Sequence, residues 1–231
     1  IAILLPALGK ARESAKTAQC LSNVRQLATT SYAIGTDNKG FLLKPFETTP
    51  GSEVYVPFTM IEDQWKIFQD YGHGPELMTC PDRSWEPVIV TIGSNDQFRH
   101  HYKYVGGIDI WHENSNEPGV RFEDPPGIEK LDDMTSERAL VSDFLIRTNG
   151  DWKTTVTGAA DPWDVDPAPH GIGNEATGSP RGGNHAMGDG SGSFQNYDDM
   201  VGIYSWGWAT RSSYMFQPDL PEGTTFANPT D

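Results

Sequence analysis

Leu4, Leu8, Ala11, Ala15, Ala18, Leu21, Val24, Leu27, Ser31 and Ile34 recur at steps of three and four along the first stretch of the chain. Lys10, Arg12, Glu13, Lys16 and Arg25 fall outside that line. This period gathers small and apolar residues into a stripe and predicts a helix over 1–35. Gly35 follows the last periodic residue and stands where a left-handed cap takes a residue without Cβ, so the helix is expected to end there. At 1.5 Å per residue it would run roughly 50 Å, against an average globular helix of about 11–12 residues. Such a helix should project from the domain that follows it. Its first residues, IAILLPAL, are wholly apolar. They are too few to cross a bilayer, which takes roughly 20. Pro6 is expected to kink or loosen the turn before it.

The pattern then shortens. Asp37-Asn38-Lys39-Gly40 reads as a turn. Met60–Tyr71 reads as a short helix with Ile61, Trp65, Ile67 and Phe68 as its apolar members, ended by Gly72. Short strands are predicted at Glu53–Phe58, at Leu77–Cys80 before Pro81, and at Tyr102–Trp111, where Gly106-Gly107 interrupts. Val88–Ile92, β-branched and apolar, reads as a buried strand, and Ala139–Arg147 as the clearest strand of the head. Residues 112–135 and 149–183 are rich in acidic residues, Pro and Gly and read as surface loops. His185–Gln195 reads as a hairpin turned at Asp189-Gly190, because Asp-Gly supplies the positive φ angles of a tight turn. Tyr197–Phe216 is polar and aromatic, and Gln217–Asp231 is expected to be a loose tail. The fold class is α+β: a long N-terminal helical stem (1–35), then a loop-rich, mainly antiparallel β head (36–231).

Composition changes this picture in one respect. The 231 residues carry a net charge of −15, but residues 1–46 hold six Lys/Arg against two Asp/Glu, so all of the negative excess lies in the head. An acidic head disfavours nucleic acid as a partner, whose binding is dominated by phosphate neutralisation. Seven Trp and eight Tyr argue for a packed core rather than disorder.

The stretch LLPALGKARESAKTAQCLSNVRQL, followed by DNKGFLL at 37–43, resembles the stem of type IV pilin-like proteins with a prepilin-type cleavage and methylation signal. It is most similar to the group with a processing-associated H-x9-DG element near the C-terminus. Further matches in the family's order are the CPD at Cys80–Asp82, the run ALVSDFL through Asp143, and GGNHAMGDGSGSFQ at 182–195. The family's Gly cleavage site with its following aromatic and Glu is absent, so the resemblance implies that the membrane-proximal part of the stem lies upstream of Ile1. The His expected ten positions before the Asp of the DG pair is Ser179. The resemblance implies an extracellular filament or a periplasmic location, with a precursor in the inner membrane. It implies partners in identical copies of the chain and in inner-membrane assembly machinery. Assembly would run through Leu4, Leu5, Pro6, Leu8, Ala11, Ala15 and Ala18. An extracytoplasmic head further implies that Cys20 and Cys80, the only cysteines, are bridged.

No enzyme is required by this reading. There is no G-x-S-x-G elbow, phosphate loop, G-x-G-x-x-G or H-E-x-x-H. His100-His101 is expected in a loop or at the surface, and its two rings should face opposite ways. His185 near Asp189 is an ordinary turn pair. Asp189, Asp198 and Asp199 are candidate calcium ligands, since Ca²⁺ takes carboxylate and carbonyl oxygens from flexible loops. Major pseudopilins of type II secretion resemble this in having an acidic C-terminal loop that holds calcium ahead of a Ser-Trp pair, here Ser205-Trp206. The alternative is a solvated loop with an Asp-Gly turn. The rival to a filament subunit is a secreted carbohydrate-binding or hydrolytic domain using exposed Trp and paired acids, which leaves the stem unexplained.

Overall fold

The computed structural model describes residues 4–47, 55–56, 58–92, 95–108, 128–148, 152, 169–174, 176, 178–206 and 211–215. The chain is α+β. Helix α1 covers Leu4–Asp37 and α2 covers Glu62–Asp70. The central sheet has four antiparallel strands in the order β10-β9-β7-β6, formed by Gly192–Asn196, Gly182–Met187, Ala139–Asp143 and Tyr102–Tyr104. A second sheet orders β3 (Thr59–Ile61), β5 (Asn95–Arg99) and β4 (Val88–Ile92). A third orders β11 (Val201–Trp206), β12 (Arg211–Met215) and β8 (Leu145–Thr148). β1 (Phe46–Glu47) and β2 (Tyr55–Val56) pair separately.

α1 does not end at Gly35. It continues to Asp37, and the left-handed residues are Lys39 (φ 56°) and Gly40 (φ 89°), with Gly40 N–H donating back to the Gly35 carbonyl at 2.8 Å. The predicted Asp37–Gly40 turn is therefore the helix cap. Gly35 serves close packing instead: a Cβ there would meet Leu131 Cδ2 at 2.8 Å and Leu42 Cδ2 at 3.1 Å. Pro6 lies in the first described turn of α1, so the loosening expected before it falls outside the described residues.

The apolar line along α1 is not one stripe. Cys20, Val24, Leu27, Ala28, Ser31 and Ile34 are buried in the head, whereas Leu8 (69% exposed), Ala11, Ala15 and Ala18 face solvent. The reason is in the spacing. Ala15, Ala18, Leu21, Val24 and Leu27 follow one another by threes, and each step of three falls short of a full turn by roughly 60°. Repeated steps swing the line around the helix and leave its two halves on nearly opposite faces. Glu13, Lys16 and Thr17, half-buried, continue the head-facing side upward.

The buried half of α1 lies on the central sheet. It shares one core with Met60, Trp65, Phe68, Met78, Phe98, Tyr102, Tyr104, Leu140, Val141 and Ala186. α2 contributes Trp65 and Phe68, Trp65 stacking on Phe98 with ring centroids 4.0 Å apart. Gly72 (φ 81°) ends that segment as expected.

Three other expectations are corrected. Leu77–Cys80 is no strand; Pro75–Met78 forms a 3₁₀ turn, for which the proline at its start supplies the φ angle. Val88–Ile92 is a strand but not a buried one. β4 is the edge of its sheet, and Val88 and Ile89 are 39% and 48% exposed. Ala139–Arg147 is two strands, because the Phe144 N–H turns to the His101 carbonyl at 3.2 Å and its carbonyl takes the Arg83 guanidinium. β7 therefore belongs to the central sheet and β8 to the third. The 182–196 hairpin forms with Gly192 opposite Ala186 and Gly190 at φ 82° in its turn. Of the predicted Tyr102–Trp111 strand, Tyr102–Tyr104 forms, and 109–111 lie outside the described residues; so do most of the 112–135 and 149–183 loops and the 217–231 tail.

Candidate functional site at the stem–head junction

α1, the Cys80–Asp82 turn, β7, β9 and the loop at 169–174 bring their polar side chains to one buried point. Cys20 stands at the middle of α1, on the head-facing side, with its sulfur at bonding distance from that of Cys80 and the two Cα atoms 5.4 Å apart. Both residues are fully buried. The Cys80 N–H donates to His101 Nδ1 at 2.8 Å, which fixes the backbone of the CPD turn. Two residues on, Asp82 Oδ1 pairs with Lys16 Nζ of the stem at 2.8 Å, and Oδ2 accepts the His170 N–H at 2.6 Å. Burial pushes the Asp82 carboxyl up, but the hydrogen bond and charge of Lys16 prevail and hold it below its ordinary range.

His170 is the residue that organises the cluster. It is fully buried with φ 66°, a left-handed conformation uncommon outside glycine, and is followed by Gly171 at φ 88°. The loop is clamped across its base, with Arg181 N–H donating to Gly171 O at 3.0 Å and Gly173 N–H to Ser179 O at 2.8 Å. Ser179, at the position where the resembled family has His, therefore sits on the return arm of the His170 loop.

The ring reaches into the junction. Nε2 lies 2.9 Å from Asp143 Oδ2, 3.7 Å from Cys80 Sγ and 3.2 Å from Asn184 Nδ2, while Nδ1 lies 3.4 Å from Thr17 Oγ1. Asp143 ends β7 opposite Tyr102, on the sheet face that α1 covers. Its Oδ2 also accepts Asn184 N–H at 2.7 Å and Asn184 Nδ2 at 3.0 Å, and Asn184 Nδ2 lies 3.2 Å from the Thr17 carbonyl of the stem. Burial alone would raise the Asp143 carboxyl, but His170 and the Asn184 N–H hold it below its ordinary range.

One ligand atom from each of Cys20, Cys80, Asp143 and His170 lies within 4.8 Å of the others, and all four residues are buried. Nε2 faces both the Cys80 sulfur and the Asp143 carboxylate, while Nδ1 lies 3.8 Å from Asp82 Oδ2. Bonded to Cys20, the Cys80 sulfur is not a free thiolate nucleophile. The donors converge on one point, which is how a metal site is built, or how a disulfide is walled in.

The residues singled out from sequence are distributed differently. Asp189 is exposed at the hairpin tip and caps its own turn, accepting the Ser191 N–H at 2.9 Å. Asp198 and Asp199 are exposed in a 3₁₀ turn beyond the opposite end of β10. A five-residue strand, roughly 17 Å long, separates the two ends. Asp189 thus lies apart from the other two, and none of the three joins the four-residue group found among the described residues. Ser205 and Trp206 end β11. His100 and His101, expected in a loop or at the surface, do lie in the link between β5 and β6, but both are fully buried, and burial lowers each to about 3. His185 lies on the sheet face away from α1, paired across the strands with Ser142 and sharing that face with Lys103. Burial, then the Lys103 charge, lowers it to about 4. Leu8, Ala11, Ala15 and Ala18 are exposed, Pro6 likewise, and the side chains of Leu4 and Leu5 lie outside the described set.

Sequence reasoning gave no site role to His170, Asp82, Asp143, Thr17 or Asn184. Asp82 in the CPD turn and Asp143 in ALVSDFL were the local signals; His170, alone in a loop of Pro, Gly and Asp, had none. Compared with models of protein families, with curated proteins and with solved structures, the chain matches none.

Proposed function

We propose that this chain is a structural subunit of an extracellular or periplasmic type IV pilus-like filament that assembles through α1, acting by assembly rather than turnover. The observation that carries the reading is the two-faced helix. Its C-terminal half is buried in the head, while Leu8, Ala11, Ala15 and Ala18 form an exposed apolar and small-residue line on nearly the opposite side. A contiguous uncovered apolar line marks an interface, and small residues let a second helix approach closely. A groove between Ala18, Arg25, Thr29 and Gly190 runs beside this line, where the Arg25 guanidinium donates to the Gly190 carbonyl at 3.2 Å. The partners in this reading are identical copies, whose head-to-tail contacts propagate without closing, and inner-membrane assembly machinery. No helix among the described residues is long and apolar enough to cross a membrane; a precursor in the inner membrane is part of the proposal.

The test is Leu8→Asp with Ala15→Asp, assayed by circular dichroism, light scattering and negative-stain microscopy. The expected result is a folded monomeric head and no filaments, because an unpaired charge in a packed helix core is strongly disfavoured. Filaments that persist would remove α1 as the filament core. A stem-free monomer that binds glycans would favour a secreted carbohydrate-binding domain instead.

A further inference from the structure

We propose that reduction of the Cys20–Cys80 pair converts the stem–head junction into a four-coordinate site for a thiolate-preferring divalent cation of the zinc class, with Cys20, Cys80, Asp143 and His170 as ligands. The argument starts from convergence. The four donor atoms lie within 4.8 Å of one another, and they come from α1, the CPD turn, β7 and the 169–174 loop. Two sulfurs, one imidazole nitrogen and one carboxylate oxygen are a donor set that zinc takes in tetrahedral sites. Metal–ligand lengths of about 2.0–2.3 Å place such donors about 3.3–3.8 Å apart. The sulfurs must therefore separate as their bond breaks, while the outermost donors move in by about 1 Å.

Two further observations point the same way. The Asp143 carboxylate is buried, and its second oxygen, Oδ1, has no hydrogen-bond partner among the described residues. That is a cost a structural carboxylate avoids and a ligand oxygen can recover. The ring nitrogen is also held in place. His170 is fixed by its backbone bond to Asp82, and Thr17 Oγ1 approaches Nδ1, which leaves Nε2 facing the sulfurs and carboxylate. A second polar contact on the non-ligating nitrogen is how metal-binding histidines are oriented.

The chemistry balances without an unnamed reactant. A dithiol reductant delivers two electrons to the Cys20–Cys80 bond and becomes a disulfide itself, and each freed sulfur takes one proton. The cation displaces these two protons to solvent. It is then bound by two thiolates, the Asp143 carboxylate and neutral His170. α1 thereby stays fastened to the head in either redox state, by a covalent bond when oxidised and by coordination when reduced.

The experiment titrates Co²⁺, then Zn²⁺, into the full chain with and without prior reduction by a phosphine, followed by removal of the phosphine. The expected result is one Co²⁺ per chain in the reduced protein, with a sulfur-to-cobalt charge-transfer band and tetrahedral ligand-field bands that Zn²⁺ abolishes, and no uptake in the oxidised protein. Losing a partner that merely orients a ligand weakens binding roughly 10–100-fold, and losing a ligand should weaken it at least as much. His170→Ala and Asp143→Asn are therefore expected to reach that range while leaving the oxidised protein folded. Circular dichroism decides the case in which reduction unfolds the chain: recovery of the fold on adding Zn²⁺ supports the site, and failure to recover overturns it. Absence of uptake after reduction, or uptake unchanged in both His170→Ala and Asp143→Asn, also overturns it. Filament formation by the oxidised protein is measured separately and does not bear on this outcome.

Discussion

The side-chain amide of Asn23 lies 3.1 Å from the hydroxyl of Tyr102, and both groups donate to the same acceptor, the Thr79 carbonyl, at 3.0 and 3.1 Å. Asn23 is on α1, Tyr102 on β6 and Thr79 just before the CPD turn, so three elements share one buried hydrogen-bonded knot. Burial raises the Tyr102 hydroxyl well above its ordinary value, keeping it a neutral donor, with the Asn23 hydrogen bond opposing that rise.

Removing the amide takes one of two donors from the Thr79 carbonyl and leaves the Tyr102 hydroxyl as its partner. Asn23→Ala and Tyr102→Phe are each expected to lower stability by about 1–2 kcal/mol. The double variant should depart from the sum, because the Thr79 carbonyl keeps one donor in either single variant and neither in the double. Urea unfolding of the four proteins checks this; strict additivity would show that the knot does not act as a unit.

Cys20 and Cys80 are expected to be bridged in protein isolated under non-reducing conditions. The bridge closes a loop of 60 residues and should contribute about 4 kcal/mol by restricting the unfolded chain. Peptide mapping without reductant should find the linked pair, and Cys20→Ser with Cys80→Ser should lower the melting temperature. Two alkylatable thiols in the unreduced protein would contradict it.

Acid should destabilise the head well above the carboxylate range. Burial lowers His73 and His185 to about 4 and His100 and His101 to about 3, from an ordinary 6.5. Between those limits the unfolded chain holds more protons than the folded one, so stability rises with pH there and falls as pH drops below 6.5. Each histidine contributes about 1.4 kcal/mol per pH unit in that window. Together they should remove on the order of 5 kcal/mol between pH 6.5 and pH 5. Denaturation at stepped pH measures the slope. His73→Leu should flatten it by about one histidine's share, and a stability independent of pH over this range would show these rings to be solvated.

Glycines on the same chain should respond oppositely to alanine. At Gly107 (φ 70°) a Cβ would meet the Leu43 carbonyl oxygen at 2.6 Å, and Gly107→Ala is expected to cost more than about 2 kcal/mol. At Gly9, helical and with nothing within 4 Å, Gly9→Ala should stabilise the helix by up to about 1 kcal/mol. Gly35→Ala should fall between, its gain in helix propensity opposed by Leu131 and Leu42. Thermal melts of the three variants give the order.

The elements that local spacing controls were legible. α1, α2 and the 182–196 hairpin follow from period, from Gly72 and from Asp189-Gly190, because each is specified within a few residues. What failed was set at a distance. The strand predicted at Ala139–Arg147 divides at Phe144 because Arg83 and His101, far apart in sequence, take its backbone groups. Val88 and Ile89 look like core residues, but the sheet order leaves them on an edge. His100 and His101 are polar by type and buried by context. The junction shows the limit most plainly: His170 meets Asp82, Asp143 and Thr17 across separations of 88, 27 and 153 residues, and no window of sequence contains that meeting.

The position of Cys20, partway along α1, sets a load path. Leu4 to Arg12, ahead of the ion pairs that Glu13 and Lys16 make with the head, is a lever of roughly 14 Å that a pull on the stem would act through. Tension arriving at Cys20 crosses directly to Cys80 and passes on to the CPD turn. It bypasses the lower half of α1, α2 and the strands before Cys80, whose packing is noncovalent. With the bridge closed, those elements are mechanically in parallel with a covalent tie, so the helix would stretch or its neighbours yield before α1 could be peeled off the sheet.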